Sequence, residues 1–262
     1  MDLQFTNKTV LVMGASRGLG RAIASELAQE GANLILVARN QAAISELAQD
    51  LESKNGVSVQ VWPTDLGKAE DRDRLLERIN ALPRLDALLA NSGGPKPGTA
   101  PGIAAQTWRD DFETMVVSLI AVMDQAVAKM QAQKSGRIVL ISSSGIVQPI
   151  PQLAVSNSLR ASLAAYAKTL ADSVAKDGIS VNLMLPGRVA TERLEELDGA
   201  AAKSTGRSVE QVQESIIATI PMGRYGSPKE FAQTACFLLS DCASYCTGNL
   251  LRVDGGAIKG IW

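Results

Sequence analysis

Histidine is absent from all 262 residues of the chain. That absence removes Ser-His-Asp and Cys-His hydrolysis, and zinc sites of the HExxH type, because each needs an imidazole as base or ligand. Cysteine is scarce. Cys236, Cys242 and Cys246 form no C-x-x-C pair, and an odd number of thiols argues against a disulfide framework, so they are expected as free thiols with mainly packing roles. No metal site is expected. Neither sign of charge dominates, with 26 lysines and arginines against 27 aspartates and glutamates, so no basic surface points to nucleic acid or anionic lipid. The sequence also lacks an internal repeat and a low-complexity tract. The N-terminal MDLQFTNKTVLVMG reaches a glycine turn after one short apolar strand, with neither a signal-peptide layout nor a membrane-length run. The expectation is a cytoplasmic protein with no membrane or nucleic-acid partner.

What is present suits one layered core. With 46% apolar and 20% charged residues, the chain reads as a single soluble domain over 1–262. Short apolar runs at 9–14, 33–39, 57–63, 85–93, 137–143, 179–187 and 249–256 read as strands. They are nearly continuous in valine, isoleucine and leucine, as strands covered on both faces must be. Amphipathic helical patterns lie between them, including one long stretch from about Gln106 to Lys134. This alternation predicts an α/β, doubly wound Rossmann fold with a seven-stranded parallel sheet flanked by helices. The interval 191–220 departs from the pattern, being polar and helix-prone, with Ser208 and Gln211 spaced as a capping box. It reads either as a substrate flap over the strand ends or as an ordinary surface helical pair.

The first strand runs into Gly14-Ala15-Ser16-Arg17-Gly18-Leu19-Gly20 and then a helix. Glycines are placed where the backbone must turn tightly and approach phosphates, and the helix N-terminus faces that negative charge, so this loop is a candidate dinucleotide cradle. The same letters spell G-x-S-x-G around Ser16, a nucleophile elbow, but the elbow needs a histidine base. The second strand ends at Ala38-Arg39 where an NAD site would offer a carboxylate to the ribose. Arg39 and Arg17 would instead pair with a 2′-phosphate, which favours NADP(H) over NAD(H), the other reading being that both are solvated surface charges. Asp65, Asn91 and Gly93 sit at strand C-termini, where ligands bind in such sheets and where turn formers also occur.

These residues resemble the short-chain dehydrogenase/reductase family, and the resemblance covers nearly the whole chain. It is carried by GASRGLG, Asp65-Leu66, Asn91-Ser92-Gly93, the ISS strand end, and Pro186-Gly187 with Thr191. Further on, RYGSPKEFA, FLLSD, Gly248 and VDGG also fit, and the likeness is greatest to the β-ketoacyl-acyl-carrier-protein reductase branch. The resemblance implies cofactor contacts from Gly14, Ser16, Arg17, Gly18, Leu19, Gly20, Arg39, Asp65, Leu66, Asn91, Gly93, Arg160, Pro186, Gly187, Val189 and Thr191. It further implies a homotetramer packed through the long fourth and fifth helices, and a small-molecule or acyl-thioester substrate.

The family's chemistry uses an asparagine, a serine, a tyrosine and a lysine. Counting back without gaps from Val181-Asn182 places Ser156 at the tyrosine position, Arg160 at the lysine position and Ser143 at the serine position. Counting forward from Trp108 places Met115 at the asparagine position. Arg160 lies one helical turn beyond Ser156 and can bind ribose, but it cannot relay a proton. A serine hydroxyl is a far weaker acid than a phenol, and losing one general acid costs about 10²- to 10⁴-fold in rate. Tyr166 and Lys168 lie on different faces of their helix and read as packing. Arg188 reads as a holder of an anionic substrate group or as a surface charge. Ser142, Ser143 and Ser144 read as donors to a substrate oxygen or as a strand end. The expected catalytic residues are therefore Ser143, Ser156 and Arg160, in an NADP(H)-dependent oxidoreductase of the 3-oxoacyl-thioester or related carbonyl reductase type. The rival expectation is a non-catalytic NADP(H)-binding sensor or assembly partner. A third is isomerisation or reduction of a conjugated alkene.

Overall fold

The computed structural model of the protein describes residues 2–261. Seven strands form one sheet: β1 (Thr9–Met13), β2 (Asn33–Ala38), β3 (Val59–Pro63), β4 (Ala87–Ala90), β5 (Gly136–Ile141), β6 (Ile179–Pro186) and β7 (Leu250–Val253). Every pairing is parallel and the spatial order is β3-β2-β1-β4-β5-β6-β7. The order reverses between β1 and β4, so a crevice opens at the C-terminal ends of those strands, the usual ligand position in a doubly wound sheet.

The near-continuous apolar strands explain the two-layered core. Side chains alternate along a strand, so Leu11 and Met13 of β1 face one layer while Val10 and Val12 face the other. The first layer is completed by α3 (Ala69–Ala81), α5 (Ser118–Gln133) and α6 (Ala154–Val174), and the second by α1 (Gly18–Gln29), α2 (Gln41–Asn55) and α9 (Pro228–Leu239). All the expected strands are present, most of them shorter by one to three residues at an end where the chain turns into loops, with β5 beginning one residue earlier than expected.

The long helix expected from about Gln106 to Lys134 is interrupted. An exposed helix α4 (Ala105–Phe112) passes through a π-helical turn, Glu113–Val117, into α5. The hydroxyl of Ser118 donates to Glu113 O at 2.8 Å, satisfying a carbonyl five residues back. By length and composition alone the continuous stretch Ala105–Gln133 could cross a membrane, but half of its most apolar window is buried. Met115, Leu119, Val122, Met123 and Ala126 pack in the sheet-covering core.

The interval 191–220 folds as two helices, α7 (Glu192–Thr205) and α8 (Val209–Ile217). Thr191 caps α7, its hydroxyl accepting from Leu194 N at 3.4 Å. The expected capping box opens α8, with Gln211 N donating to Ser208 Oγ and Ser208 N to Gln211 Oε1. Along α7, Leu194, Asp198 and Ala202 recur at helical spacing and all three are buried. The Asp198 carboxylate, 1% exposed, accepts from Arg188 Nη1 at 3.3 Å and from the Tyr225 hydroxyl at 2.9 Å. That ion pair ties the helical pair to the turn after β6.

Candidate active site

The glycine loop is built as its sequence requires. Gly14 and Gly18 hold φ of +68° and +56°, the left-handed region that costs a side chain dearly. Gly20 is needed for space: a Cβ there would lie 2.2 Å from Gly14 O. A Cβ on Gly14 would lie 2.5 Å from Asn91 Nδ2, so the loop after β1 and the end of β4 close on each other at the reversal of strand order. The loop stays pinned to the sheet through Gly14 N donating to Val37 O at 2.8 Å. Arg17 is the N-cap of α1 and offers no side-chain cap, and α1 carries no acidic residue in its first turn. The positive helix end is thus left for an external anion.

The other expected cofactor residues gather around this crevice with differing engagements. Arg39 is exposed, one residue beyond β2. Asp65 turns its carboxylate back onto Gly67 N at 3.1 Å, and Leu66 packs partly into the core. Ser92 is half-buried, its hydroxyl oxygen shielded and unpartnered, and Gly93 has open space where a Cβ would lie. Pro186 ends β6, and Gly187 is forced by close approach, since a Cβ would lie 2.4 Å from Asp254 Cα. Val189 is buried, and Thr191 is committed to capping α7. Ser16 and Leu19 lie within the loop and the first turn of α1.

The expected catalytic residues come from β5 and α6. Ser143 follows β5 and caps a short 3₁₀ turn, its hydroxyl accepting from Gly145 N at 3.1 Å. Neighbouring Ser142 is buried and its hydroxyl is unpartnered. Ser156 and Arg160 both sit on the buried face of α6, as one-turn spacing dictates. The Arg160 guanidinium reaches under the strand end, with Nη1 donating to Ile141 O at 3.0 Å and to Ser142 O at 3.5 Å. Its Nη2 lies near Gly94, in the loop after β4.

Arg160 is electrostatically unusual. It is 8% exposed, and no carboxylate lies within ion-pair distance of it among the described residues. Burial, and then the neighbouring charge of Arg193, push its pKa down to about 10. It remains a cation at neutral pH, held by carbonyl oxygens alone, and a buried charge in this condition favours an incoming partner rich in oxygen.

Two of the three tyrosines are hydrogen-bonded elsewhere and the third is open to solvent. Tyr166 hydrogen-bonds Asp124, and burial with that contact raises its pKa. Tyr225 bonds Asp198, and burial, then that contact, raise its pKa to about 12. Tyr245 is fully exposed. Lys168 faces solvent and pairs with Asp172 at 3.1 Å. Met115, 2% exposed, lies in the core within the π-helical turn. Arg188 is committed to Asp198, so it anchors α7. A cavity of about 390 Å³ beside the ends of β6 and β7 is lined by Arg188, Arg224 and Arg252. Arg188 and Arg224 are in ion pairs there, and Arg252 binds the carbonyls of Gly260 and Ile261.

Three residues that shape the site carry no motif. Glu196 of α7 pairs with Arg17 at 2.8 Å, and a Cβ on Gly18 would lie 3.8 Å from Glu192 Oε2. Asp198 was visible only as an acid in an otherwise apolar helical stripe, Leu194, Asp198, Ala202. For Glu192 and Glu196 no local signal exists.

A family model described as enoyl-(acyl carrier protein) reductase matches residues 14–257. Among curated proteins, the chain is 31% identical to the NADPH-dependent reductase BacG of Bacillus subtilis, over 98% of this chain and all of that protein. It is 32% identical to the 3-oxoacyl-[acyl-carrier-protein] reductase FabG of Escherichia coli, over 97% and 98% of the two chains. Among solved structures, the L-sorbose reductase of Gluconobacter frateurii, complexed with NADPH and L-sorbose, superposes with a TM-score of 0.93 at 32% identity, covering all of both chains.

Proposed function

The chain belongs to the short-chain dehydrogenase/reductase family, and from that membership we propose that it is an NADP(H)-dependent oxidoreductase whose site holds and aligns its reactants without a phenolic acid. The observation that carries the cofactor half is the cradle: a loop whose Gly14 and Gly20 admit no Cβ, closed against Asn91 at the reversal of strand order. The residues present fit a dinucleotide. The N-terminus of α1, which has no side-chain cap and no acid of its own in its first turn, receives phosphate, Arg17 and Arg39 favour a 2′-phosphate, and the relatives that bind or use NADPH support the same preference.

Bound there, NADPH would supply the hydride. Within the chain, Arg160 holds ribose hydroxyls with the donors its carbonyl contacts leave free. Ser143, whose hydroxyl accepts from Gly145 N and keeps its own proton to donate, presents a hydrogen bond to a substrate oxygen. Ser156, buried on α6 one turn before Arg160, is at best a weak donor, and any proton reaching the substrate passes through it or through water. We read Ser156 and Arg160 as standing in place of the family's tyrosine and lysine. The hydrogen bonds of Tyr166 and Tyr225 to carboxylates elsewhere, and the full exposure of Tyr245, support that reading. The helices α7 and α8 act as the cover over the substrate side.

One observation favours a second reading of the reaction. A site with a fixed cation, Arg160, and no strong acid suits a substrate in which negative charge settles on a conjugated oxygen rather than on a simple alkoxide. Reduction of a conjugated alkene next to a carbonyl meets that description. The deciding experiment is an NADPH oxidation screen pairing 3-oxoacyl thioesters and simple ketones with their α,β-unsaturated counterparts. Turnover of the oxo compounds to alcohols supports the first reading, and turnover only of the unsaturated partners supports the second. Tight NADPH binding with no turnover of any member leaves a binding protein and refutes both.

We further propose cytoplasmic residence and a homotetramer associating through α4 and α5. Helix α4 buries none of its residues, and Phe112 and Val117 are 44% and 39% exposed. Light scattering on the parent and on Phe112→Lys with Val117→Lys tests it: a smaller species in the variant supports the interface, and an unchanged mass refutes it.

A further inference from the structure

Resting on the cofactor reading above, we propose that Glu196 is a cofactor-selectivity residue: it occupies Arg17 until the 2′-phosphate of NADP(H) takes its place. The two oxygens of Glu196 bridge two arginines, Oε1 to Arg17 Nη1 at 2.8 Å and Oε2 to Arg193 Nη1 at 3.2 Å. Arg17, the foremost cause, holds the Glu196 carboxyl below the usual carboxylate range, so it is anionic at neutral pH. One turn earlier on the same helix, the Glu192 carboxylate and Thr191 lie against Gly18, at the start of α1.

The first turns of α7 therefore present two carboxylates to the glycine loop where a dinucleotide brings its phosphates. Arg17 is the only basic side chain within the loop itself. Glu196 carries one negative charge and a 2′-phosphate about two, so the phosphate is the stronger partner but must displace the carboxylate. NAD(H), which has no 2′-phosphate, leaves the Arg17–Glu196 pair undisturbed. The pair thus lowers NADP(H) affinity selectively. Glu192 faces the helix end common to both cofactors and does not discriminate between them.

Both partners are about half exposed, 58% and 47%, so the pair is screened and its effect is modest. Fluorescence titrations with NADPH and with NADH on the parent, Glu196→Gln, Glu196→Lys, Arg17→Met and the double variant Arg17→Met with Glu196→Gln test the proposal. Glu196→Gln is expected to tighten NADPH about two- to five-fold and leave NADH unchanged, with Glu196→Lys tightening NADPH further. In the Arg17→Met background the Glu196→Gln gain is expected to disappear. Unchanged or weakened NADPH binding in Glu196→Gln, equal tightening of both cofactors, or a gain that persists without Arg17 would each overturn it. Flat titrations of the parent with both cofactors would instead sink the cofactor reading on which it rests.

Discussion

Replacing Arg160 by methionine separates a functional cation from a structural one. Holding a buried guanidinium charged when its pKa has fallen from the ordinary arginine value to about 10 costs about 3 kcal/mol. Against that, the side chain satisfies Ile141 O and Ser142 O, and leaving such carbonyls unmet costs about 1–3 kcal/mol. Methionine fills much of the volume with adaptable apolar atoms. The protein without cofactor is therefore expected to be unchanged or stabilised by up to about 2 kcal/mol, a rise in Tm of up to about 6 °C for a chain this size. The sign with pH follows from a base whose folded pKa is depressed. The penalty on the parent is full at pH 7 and is relieved only as pH rises through about 10, so the variant's advantage shrinks there. NADPH affinity moves the other way, weakening about 10- to 100-fold with the loss of charge-assisted bonds. Differential scanning fluorimetry with and without NADPH, beside a binding titration, measures both effects. A fall in Tm of more than about 5 °C with unchanged NADPH affinity would make Arg160 a staple between β5 and α6 and refute the reasoning.

Gly20→Ala forces a Cβ to within 2.2 Å of Gly14 O. The loop must shift, at a cost of about 1–3 kcal/mol in stability, and calorimetric NADPH binding is expected to weaken at least about ten-fold. Ser156→Tyr with Arg160→Lys introduces a phenol and a titratable lysine, so, on the proposed reading, ketone reduction is expected to rise by about 10²-fold or more in an NADPH oxidation assay. No rise would show that the parent already has a proton donor. Arg224 holds the Glu230 carboxyl down to about 2 within the capping box of α9. A depressed carboxylate stabilises above the ordinary glutamate range and loses that contribution as pH falls through about 2. Arg224→Met is therefore expected to lower Tm at pH 7, with the difference from the parent vanishing towards pH 2 in a thermal-denaturation series.

The strands and the glycine loop were legible because their determinants are local. Leucine, isoleucine and valine runs mark doubly covered strands, and Gly14, Gly18 and Gly20 each meet a backbone requirement visible in the structure. The capping box at Ser208 and Gln211 formed as its spacing required. The π-helical turn at Glu113–Val117 was not legible, because it rests on backbone pairing five residues apart, with the Ser118 N–H and hydroxyl both donating to Glu113 O, inside an otherwise continuous helical pattern. Long-range electrostatics were the least legible. Arg188 read as a substrate holder or a surface charge until Asp198, on another element, claimed it, and Glu196 reaches Arg17 from far along the chain. For Arg160 the sequence gives the helical face, but only the fold shows that its charge lies buried beneath Ser142 with no carboxylate beside it.

The claim that hydride transfer here proceeds without a titrating side-chain acid is tested most directly by single-turnover NADPH oxidation across pH. One equivalent of NADPH on the protein would be mixed with the best substrate from the screen. With no histidine in the chain, Tyr166 and Tyr225 hydrogen-bonded to carboxylates elsewhere and Tyr245 fully exposed, the rate is predicted to be flat from pH 6 to 9, declining only as Arg160 loses its charge near pH 10. A break between pH 6 and 9, or no NADPH oxidation at any pH, would contradict it.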